Sequence, residues 1–478
     1  MKTIFEKSVS GRSNYQLPEG IGQTSELDES MTRGGLDMPE VSELDIVRHF
    51  TALSKRAFGV DDGFYPLGSC TMKYNPRINE AACGLPGFAS FHPWQAEEDI
   101  QGSLEIIHGV GEYLKEVTGF PGATLQPVAG AHGELTAVMM MKAYHADRGD
   151  LKRTKILIPD SAHGTNPATA TMCGFTTVQI PSNTEGGVDL EALKGLVDNQ
   201  TAGMMLTIPN TVGLFDRNIL EIAKIIHDHG ALLYMDGANL NAILGIVKPA
   251  KMNVDLMHIN LHKTFSTPHG GGGPGGGYVG CVKALEPYLP SPRVVKEGNR
   301  FKLDDKNPKS IGRVRAFYAN FGVLVRAFTY MARLGKQGTY RIGRYAVLNA
   351  NYIKAKLNTH FHLPFTTHCM HEVVFSDAKQ AENHVSTMDI AKRLLDFGYH
   401  PPTIYFPLIV QGAMMIEPTE GESKETLDDF IDVMIQIAGE AKTNPLMLQQ
   451  APHRVTIRRV DAVKAARNPV VVCNTCCT

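Results

Sequence analysis

Apolar residues recur at helical spacing in some stretches of the chain and crowd into short buried-looking runs in others, and between about residues 95 and 285 the two patterns alternate. Helical periodicity marks Glu98–Glu116 and Glu134–Arg148, and strand-like runs follow at Lys155–Pro159, Thr176–Pro181, Met204–Pro209, Ala231–Met235 and Leu256–Leu261. The helical stretches Asp189–Val197 and Asn218–His229 fall between those runs, the second stopped by Gly230. Such alternation predicts a mostly parallel sheet covered by helices.

Outside this block the pattern changes. Residues 1–94 are rich in turn formers, as in Leu17-Pro-Glu-Gly20, Arg33-Gly-Gly35 and Tyr65-Pro-Leu-Gly-Ser-Cys-Thr71, and read as an arm with one helical stretch at Glu40–Arg56. After a helical stretch near Val314–Leu334, helices at Tyr345–Leu357, Thr387–Leu395 and Lys424–Ile437 interleave with strands at Glu372–Ser376 and Ala413–Ile416. The expected organisation is an arm over 1–94, a large α/β domain over 95–340, and a smaller C-terminal α+β domain with a flexible tail over 341–478.

A chain of 478 residues has volume for two or three domains and a buried site. Its 47 basic and 49 acidic residues give a net charge of −2, so no global field points to nucleic acid or an anionic membrane. Met1–Gly20 lacks the apolar core of a secretory signal, and the run Phe321–Leu334 is broken by Arg326 and Arg333, so the expectation is a cytoplasmic protein with no membrane partner. Eight cysteines, at 70, 83, 173, 281, 369, 473, 476 and 477, do not form a disulfide framework in a chain this long and read as reduced thiols, the last three in an exposed tail.

Chemistry concentrates at the ends of the strand-like runs. In Asn260-Leu-His-Lys263-Thr-Phe265 a lysine follows an apolar run, where a solvated face would be its usual place. Upstream, Ala231-Leu-Leu-Tyr-Met-Asp236 puts a carboxylate at the end of another run, which alone would read as a turn residue. Together they supply what pyridoxal 5'-phosphate (PLP) requires: an amine to hold its aldehyde and an anion to keep its pyridine nitrogen protonated. Ala129-Gly-Ala-His-Gly133 precedes a helical run, so backbone N–H groups of Gly130, Ala131 and His132 are candidates for the phosphate at a helix N-terminus. His163, in Ser161-Ala-His-Gly-Thr-Asn-Pro167, also follows a run and is the candidate to lie against the pyridine face. The glycines of His269–Tyr278 match G-x-G-x-x-G at 270, 272 and 275, but Pro274 and the strand-like Tyr278–Val282 leave no helix behind them, which excludes a dinucleotide fingerprint and favours a flexible loop beside Lys263.

Tyr234-Met-Asp-Gly-Ala-Asn-Leu-Asn241, His258-Ile-Asn-Leu-His-Lys-Thr-Phe265, Pro66-Leu-Gly-Ser-Cys-Thr-Met-Lys73, Ser161–Pro167, His400–Pro407 and Ile416–Glu420 resemble the glycine cleavage system P-protein family over about residues 40–440. The resemblance implies the PLP-dependent transferase fold type I (aspartate-aminotransferase-like) and glycine decarboxylation. It implies catalytic roles for Lys263, Asp236 and His163, with Gly130, Ala131, His132, Ala238 and His262 also around the cofactor and no metal. The aminomethyl group would pass to the lipoyl arm of the H-protein. The chain resembles the lysine-bearing half of a two-subunit form, so a companion subunit is implied, two copies of each. Another fold type I enzyme acting on a free amino acid, an aminotransferase or decarboxylase, would share Asp236 and Lys263 without needing a wide entrance, and a scaffold subunit would need neither residue.

Overall fold

The computed structural model describes residues 1–13, 28–270 and 275–471. Phe64–Val455 form one compact unit, and Met1–Gly63 with Thr456–Thr478 form another. The smaller unit contains the helix Glu43–Ser54, opened by the Ser42 hydroxyl accepting from the Asp45 N–H.

The larger unit is organised by seven strands: β1 (Gly122–Thr124), β2 (Lys155–Pro159), β3 (Thr176–Ile180), β4 (Thr201–Thr207), β5 (Leu232–Asp236), β6 (Leu256–Asn260) and β7 (Gly277–Cys281). They lie side by side in the order β1-β7-β6-β5-β4-β2-β3. Pairs among β2 to β6 are parallel, while β7 runs antiparallel to both β6 and β1. The expected mostly parallel sheet is therefore present. β4 begins earlier than its apolar run, because Thr201, Ala202 and Gly203 are as buried as the methionines after them.

Neighbouring residues of one strand serve different cores. Leu233 and Met235 pack with Ile222 and Ile226 of the helix Ile219–Asp228, whereas Leu232 and Tyr234 pack with Val138 and Met141 of the helix Gly130–Asp147. With side chains pointing alternately to opposite faces, a strand covered on both sides must be apolar throughout, which is why these strands read as unbroken runs.

A two-stranded hairpin, β8 (Arg293–Glu297) with β9 (Arg300–Asp304), follows the sheet. The chain then enters Phe321–Leu357, which holds the two expected helical stretches in one run broken at Gly335. Gly335 sits at φ 58°, a conformation that glycine adopts without the Cβ penalty. Beyond it, β10 (Val373–Ser376), β11 (Thr403–Ile404) and β12 (Ala413–Ile416) make a three-stranded antiparallel sheet in the order β10-β12-β11. Phe375, Leu394, Met414, Ile416, Phe430 and Met434 form a separate core there with Phe64. Leu67 bridges to Ile416, so the segment leading to Lys73 lies along this small sheet.

Among the described residues no helix is long and apolar enough to cross a membrane, and Cys70, Cys83, Cys173, Cys281 and Cys369 are free. Cys473, Cys476 and Cys477 lie outside the described residues, as do positions 271–274 of the glycine run.

Candidate active site

Asp236 is the last residue of β5, in register with Thr207 of β4 on one side and His258 of β6 on the other. Directly after β6 the chain makes one helical turn, Leu261–Thr264, which carries Lys263. The carboxyl ends of neighbouring parallel strands thus bring Asp236 and Lys263 to one edge of the sheet, where ligands of open α/β sheets bind. Both residues line a single cavity with His163, Thr165, Thr207, Thr211, Asn239 and Ser69, and Gly130, Ala131, Glu134, Ala238, His258 and Asn260 complete its wall. A cavity of about 420 Å³ lies elsewhere, against Phe88, Phe91, Phe317 and Phe321, and carries neither lysine nor carboxylate.

Asp236 is almost wholly enclosed. Its Oδ1 accepts from the Ala238 N–H at 2.9 Å and stands 3.6 Å from His258 Nε2, and its Oδ2 accepts from Asn166 Nδ2 at 3.1 Å. Burial alone would raise its pKa, but His258, the Ala238 N–H, Asn166 and Lys263 outweigh it and hold the carboxyl below the usual value. Glu134, in the same cluster, goes the other way: burial and the neighbouring Asp236 charge push its carboxyl up, although it accepts from Thr165 Oγ1 at 2.8 Å and Asn166 Nδ2 at 2.9 Å. Two buried carboxyls so close cannot both ionise cheaply, and His258 followed by the Ala238 N–H favours the charge on Asp236.

His258 is fixed at both ring nitrogens, to Tyr234 Oη at 2.5 Å and Asn260 Oδ1 at 2.8 Å. Lys263 Nζ donates to the Ser69 carbonyl at 2.7 Å. The His163 ring meets Phe406 edge-on at 5.5 Å, its Nδ1 bonded to Thr165 Oγ1 at 3.0 Å, and burial followed by the Lys263 charge lowers its pKa.

The helix after β1 begins at Gly130, four residues before its apolar periodicity, so Gly130–Gly133 form its first turn. A Cβ on Gly130 would stand 2.4 Å from the Asn260 side chain, and one on Gly133 would stand 2.9 Å from His258 Cβ. The glycines let an 18-residue helix press its N-terminus against β6, where its free N–H groups and dipole favour an anion. His132 and His262 are outside the cavity wall. His132 Nδ1 accepts from the Val128 N–H at 3.3 Å, and His262 packs against His269 with its pKa pushed down to about 3 by burial, His269 and Lys263.

Thr207 Oγ1 and Asn239 Oδ1, both on the cavity wall, are buried without a hydrogen-bond partner. Unsatisfied polar atoms beside a lysine, a buried carboxylate and a helix N-terminus fit a polar ring compound bearing an aldehyde, a basic nitrogen and a phosphate.

Thr207, Asn166, Glu134 and Ser69 were not legible as site residues, since strand order and long-range packing bring them in. His258 and Asn260 carried a signal: polar residues two apart in an apolar strand share a face, and here it is the face of Asp236.

Residues 6–300 match the family model described as glycine cleavage system P-protein, and residues 342–453 match that of the glycine dehydrogenase C-terminal domain. The chain is 57% identical over 473 residues to the probable glycine dehydrogenase (decarboxylating) subunit 2 of Bacillus licheniformis, covering 98% of each. It is 56% identical over 473 residues to the protein of the same description from Staphylococcus haemolyticus, covering 98% of this chain and 96% of that one. Among solved structures it is similar to an inhibitor-bound glycine decarboxylase (P-protein), with TM-score 0.73 and 17% identity over 86% of this chain and 93% of that one. It is also similar to the Lactobacillus brevis glutamate decarboxylase, with TM-score 0.66 and 15% identity over 92% and 97%. At such identities these likenesses establish the fold, that of the PLP-dependent fold type I enzymes.

Proposed function

This chain belongs to the glycine cleavage system P-protein family, as a glycine dehydrogenase (decarboxylating) subunit 2, and from that premise we propose that it decarboxylates glycine through PLP held on Lys263. One observation carries the assignment of residues: Lys263 and Asp236, from the ends of adjacent strands, open on the same cavity beside the N-terminus of the Gly130–Asp147 helix.

PLP, when bound, supplies an electron sink for the pair left behind as the glycine carboxylate departs as CO2. The protein's part is positioning and charge. Lys263 Nζ would hold the cofactor through its aldehyde. Asp236, kept ionised by His258 and its hydrogen bonds, would keep a proton on the pyridine nitrogen. Backbone N–H groups of Gly130 and Ala131 would hold the phosphate, with His132 extending the same turn. His163 would help to hold the ring, Ala238 fixes Asp236 through its N–H, and His262 belongs to the lysine-bearing turn. No metal has a role.

The proposal extends to the partners. A companion P-protein subunit 1 follows from the family's two-subunit form, and we infer two copies of each and a cytoplasmic location. The aminomethyl carbon is transferred to one sulfur of the lipoyl disulfide on the H-protein, and the other sulfur leaves as a thiol. The glycine run after Lys263, whose positions 271–274 lie outside the described residues, is inferred from the sequence to be the entrance for the lipoyl arm.

Borohydride reduction of the PLP-loaded protein followed by peptide mapping, combined with exchange of labelled bicarbonate into glycine, tests the reading. Label on Lys263 and exchange that requires lipoylated H-protein and subunit 1 are expected. Label on another lysine, or transamination of free amino acids without H-protein, overturns it.

A further inference from the structure

The acceptor of Lys263 Nζ, the Ser69 carbonyl, belongs to a turn that would not hold its shape unaided. Ser69 and Thr71 stand at φ 64° and 51°, the left-handed region that residues other than glycine avoid, and Thr71 is β-branched as well. Two carboxylates of the small domain pin the turn. Glu372, immediately before β10, accepts from the Ser69 N–H at 2.9 Å through Oε2. Glu417, immediately after β12, accepts from the Thr71 N–H at 2.9 Å and from Thr71 Oγ1 at 2.6 Å. These partners lie 303 and 346 residues away along the chain, and both carboxylates are enclosed, at 0% and 1% exposure. Strained backbone persists only where its surroundings over-determine it, and it gathers at functional sites.

We propose that Glu372 and Glu417 are positioning residues for Lys263, holding the Ser69 carbonyl where the lysine amine rests whenever it is not bonded to the cofactor. The proposal depends on the reading of Lys263 as the cofactor-binding lysine. Its consequence is that the amine's resting position is set by the small domain, so displacement of Lys263 by substrate hands it to an acceptor anchored outside its own sheet. Geometry is the operative property. Burial and the nearby Glu417 push the Glu372 carboxyl well above its usual pKa, so an amide there replaces little charge. At Glu417 an amide can accept from the Thr71 N–H and donate to its hydroxyl.

The test uses cofactor-free full-length protein and reads the rate at which it captures added PLP. That rate is followed by the visible absorption of the lysine-bound cofactor, and the captured lysine is located by borohydride reduction. Glu372→Ala and Glu417→Ala are expected to slow capture at Lys263 about 10-fold or more, given that misplacement by about 1 Å can cost about 100-fold. Glu372→Gln and Glu417→Gln are expected to stay within about 3-fold of the unaltered protein. If an alanine variant does not fold, Thr71→Gly replaces it, since it deletes the hydroxyl bond and frees the turn, and slow capture is again expected. Folded alanine or Thr71→Gly variants that capture at the normal rate overturn the proposal, as do glutamine variants that fall as far as alanine. Capture on a lysine other than Lys263 in the unaltered protein would instead overturn the assignment of Lys263, so the two failures are distinguishable.

Discussion

Replacing Asp236 by asparagine removes one charge from the site while nearly preserving its shape. The carboxylate accepts from Ala238 N–H and Asn166 Nδ2, so an asparagine oxygen can keep one bond while its NH2 group meets the other donor. The Asn166 side chain can relieve that conflict by turning over, because its Oδ1 is buried without a partner and can then accept. The oxygen it turns toward Glu134 meets a carboxyl whose raised pKa favours a proton able to donate. Folding should therefore lose only about 1–3 kcal/mol, the scale of one hydrogen bond to a charged group. Catalysis should lose more. An opposite charge in contact raises a cation's pKa by about 1–3 units, about 1.4–4 kcal/mol, so the pyridine nitrogen's protonated fraction should fall roughly 10- to 1,000-fold at neutral pH. The assay is exchange of labelled bicarbonate into glycine, with subunit 1 and lipoylated H-protein, between about pH 6 and pH 9. Because Asp236 is held ionised below its usual pKa, the unaltered protein should show no step from this group in that range. The variant's deficit should shrink as pH falls, as solvent protons take over the carboxylate's task. A folded variant within about 3-fold of normal, or one with a large deficit independent of pH, would refute the role of Asp236.

Glu134→Gln should flatten the dependence of stability on pH: a carboxyl raised above 4.5 in the folded state makes folding weaken as pH climbs through that raised pKa, and equal slopes of Tm against pH in both proteins would count against it. The His262 ring, with its pKa near 3, should show no titration by NMR between about pH 5 and 8, and a midpoint near 6.5 would contradict the burial described for it. Lys73→Met strips a buried ammonium from Glu420 at 2.7 Å, the Thr264 carbonyl at 2.8 Å and Asn241 Oδ1 at 2.9 Å. It should destabilise the protein by about 3–5 kcal/mol in urea unfolding, and a loss under about 1 kcal/mol would show the network to be dispensable. Gly130→Ala must displace Asn260 or the helix, so it should cost about 1–3 kcal/mol and weaken PLP binding measured by dialysis, whereas unchanged affinity would remove that helix N-terminus from the phosphate site.

Where local pattern decides, the sequence was legible. Continuous apolar runs separated by amphipathic helices suffice for a mostly parallel helix-covered sheet, because a strand covered on both faces cannot alternate. In such a sheet strand ends are the working edge, which is how Asp236, Lys263 and His163 became candidates when taken together, and their motifs carried the family resemblance. Local pattern also misled where packing overrode it. The helical periodicity started only at Glu134, one turn after the helix itself, since glycines that permit close approach to β6 are poor helix formers, and Thr165–Met172 hid its helix behind threonines and Pro167. Tertiary structure alone decided which carboxyl is the anion. Asp236 and Glu134 are both acidic residues next to glycine in the sequence, and only the fold sets His258 and the Ala238 N–H against Asp236 while burial and that neighbouring charge raise Glu134. It alone also brought Ser69 to Lys263 and pinned that turn with Glu372 and Glu417, contacts across hundreds of residues that no periodicity encodes. Periodicity records which face of an element is buried, whereas partners across a fold are fixed by strand order and by the close packing of two cores.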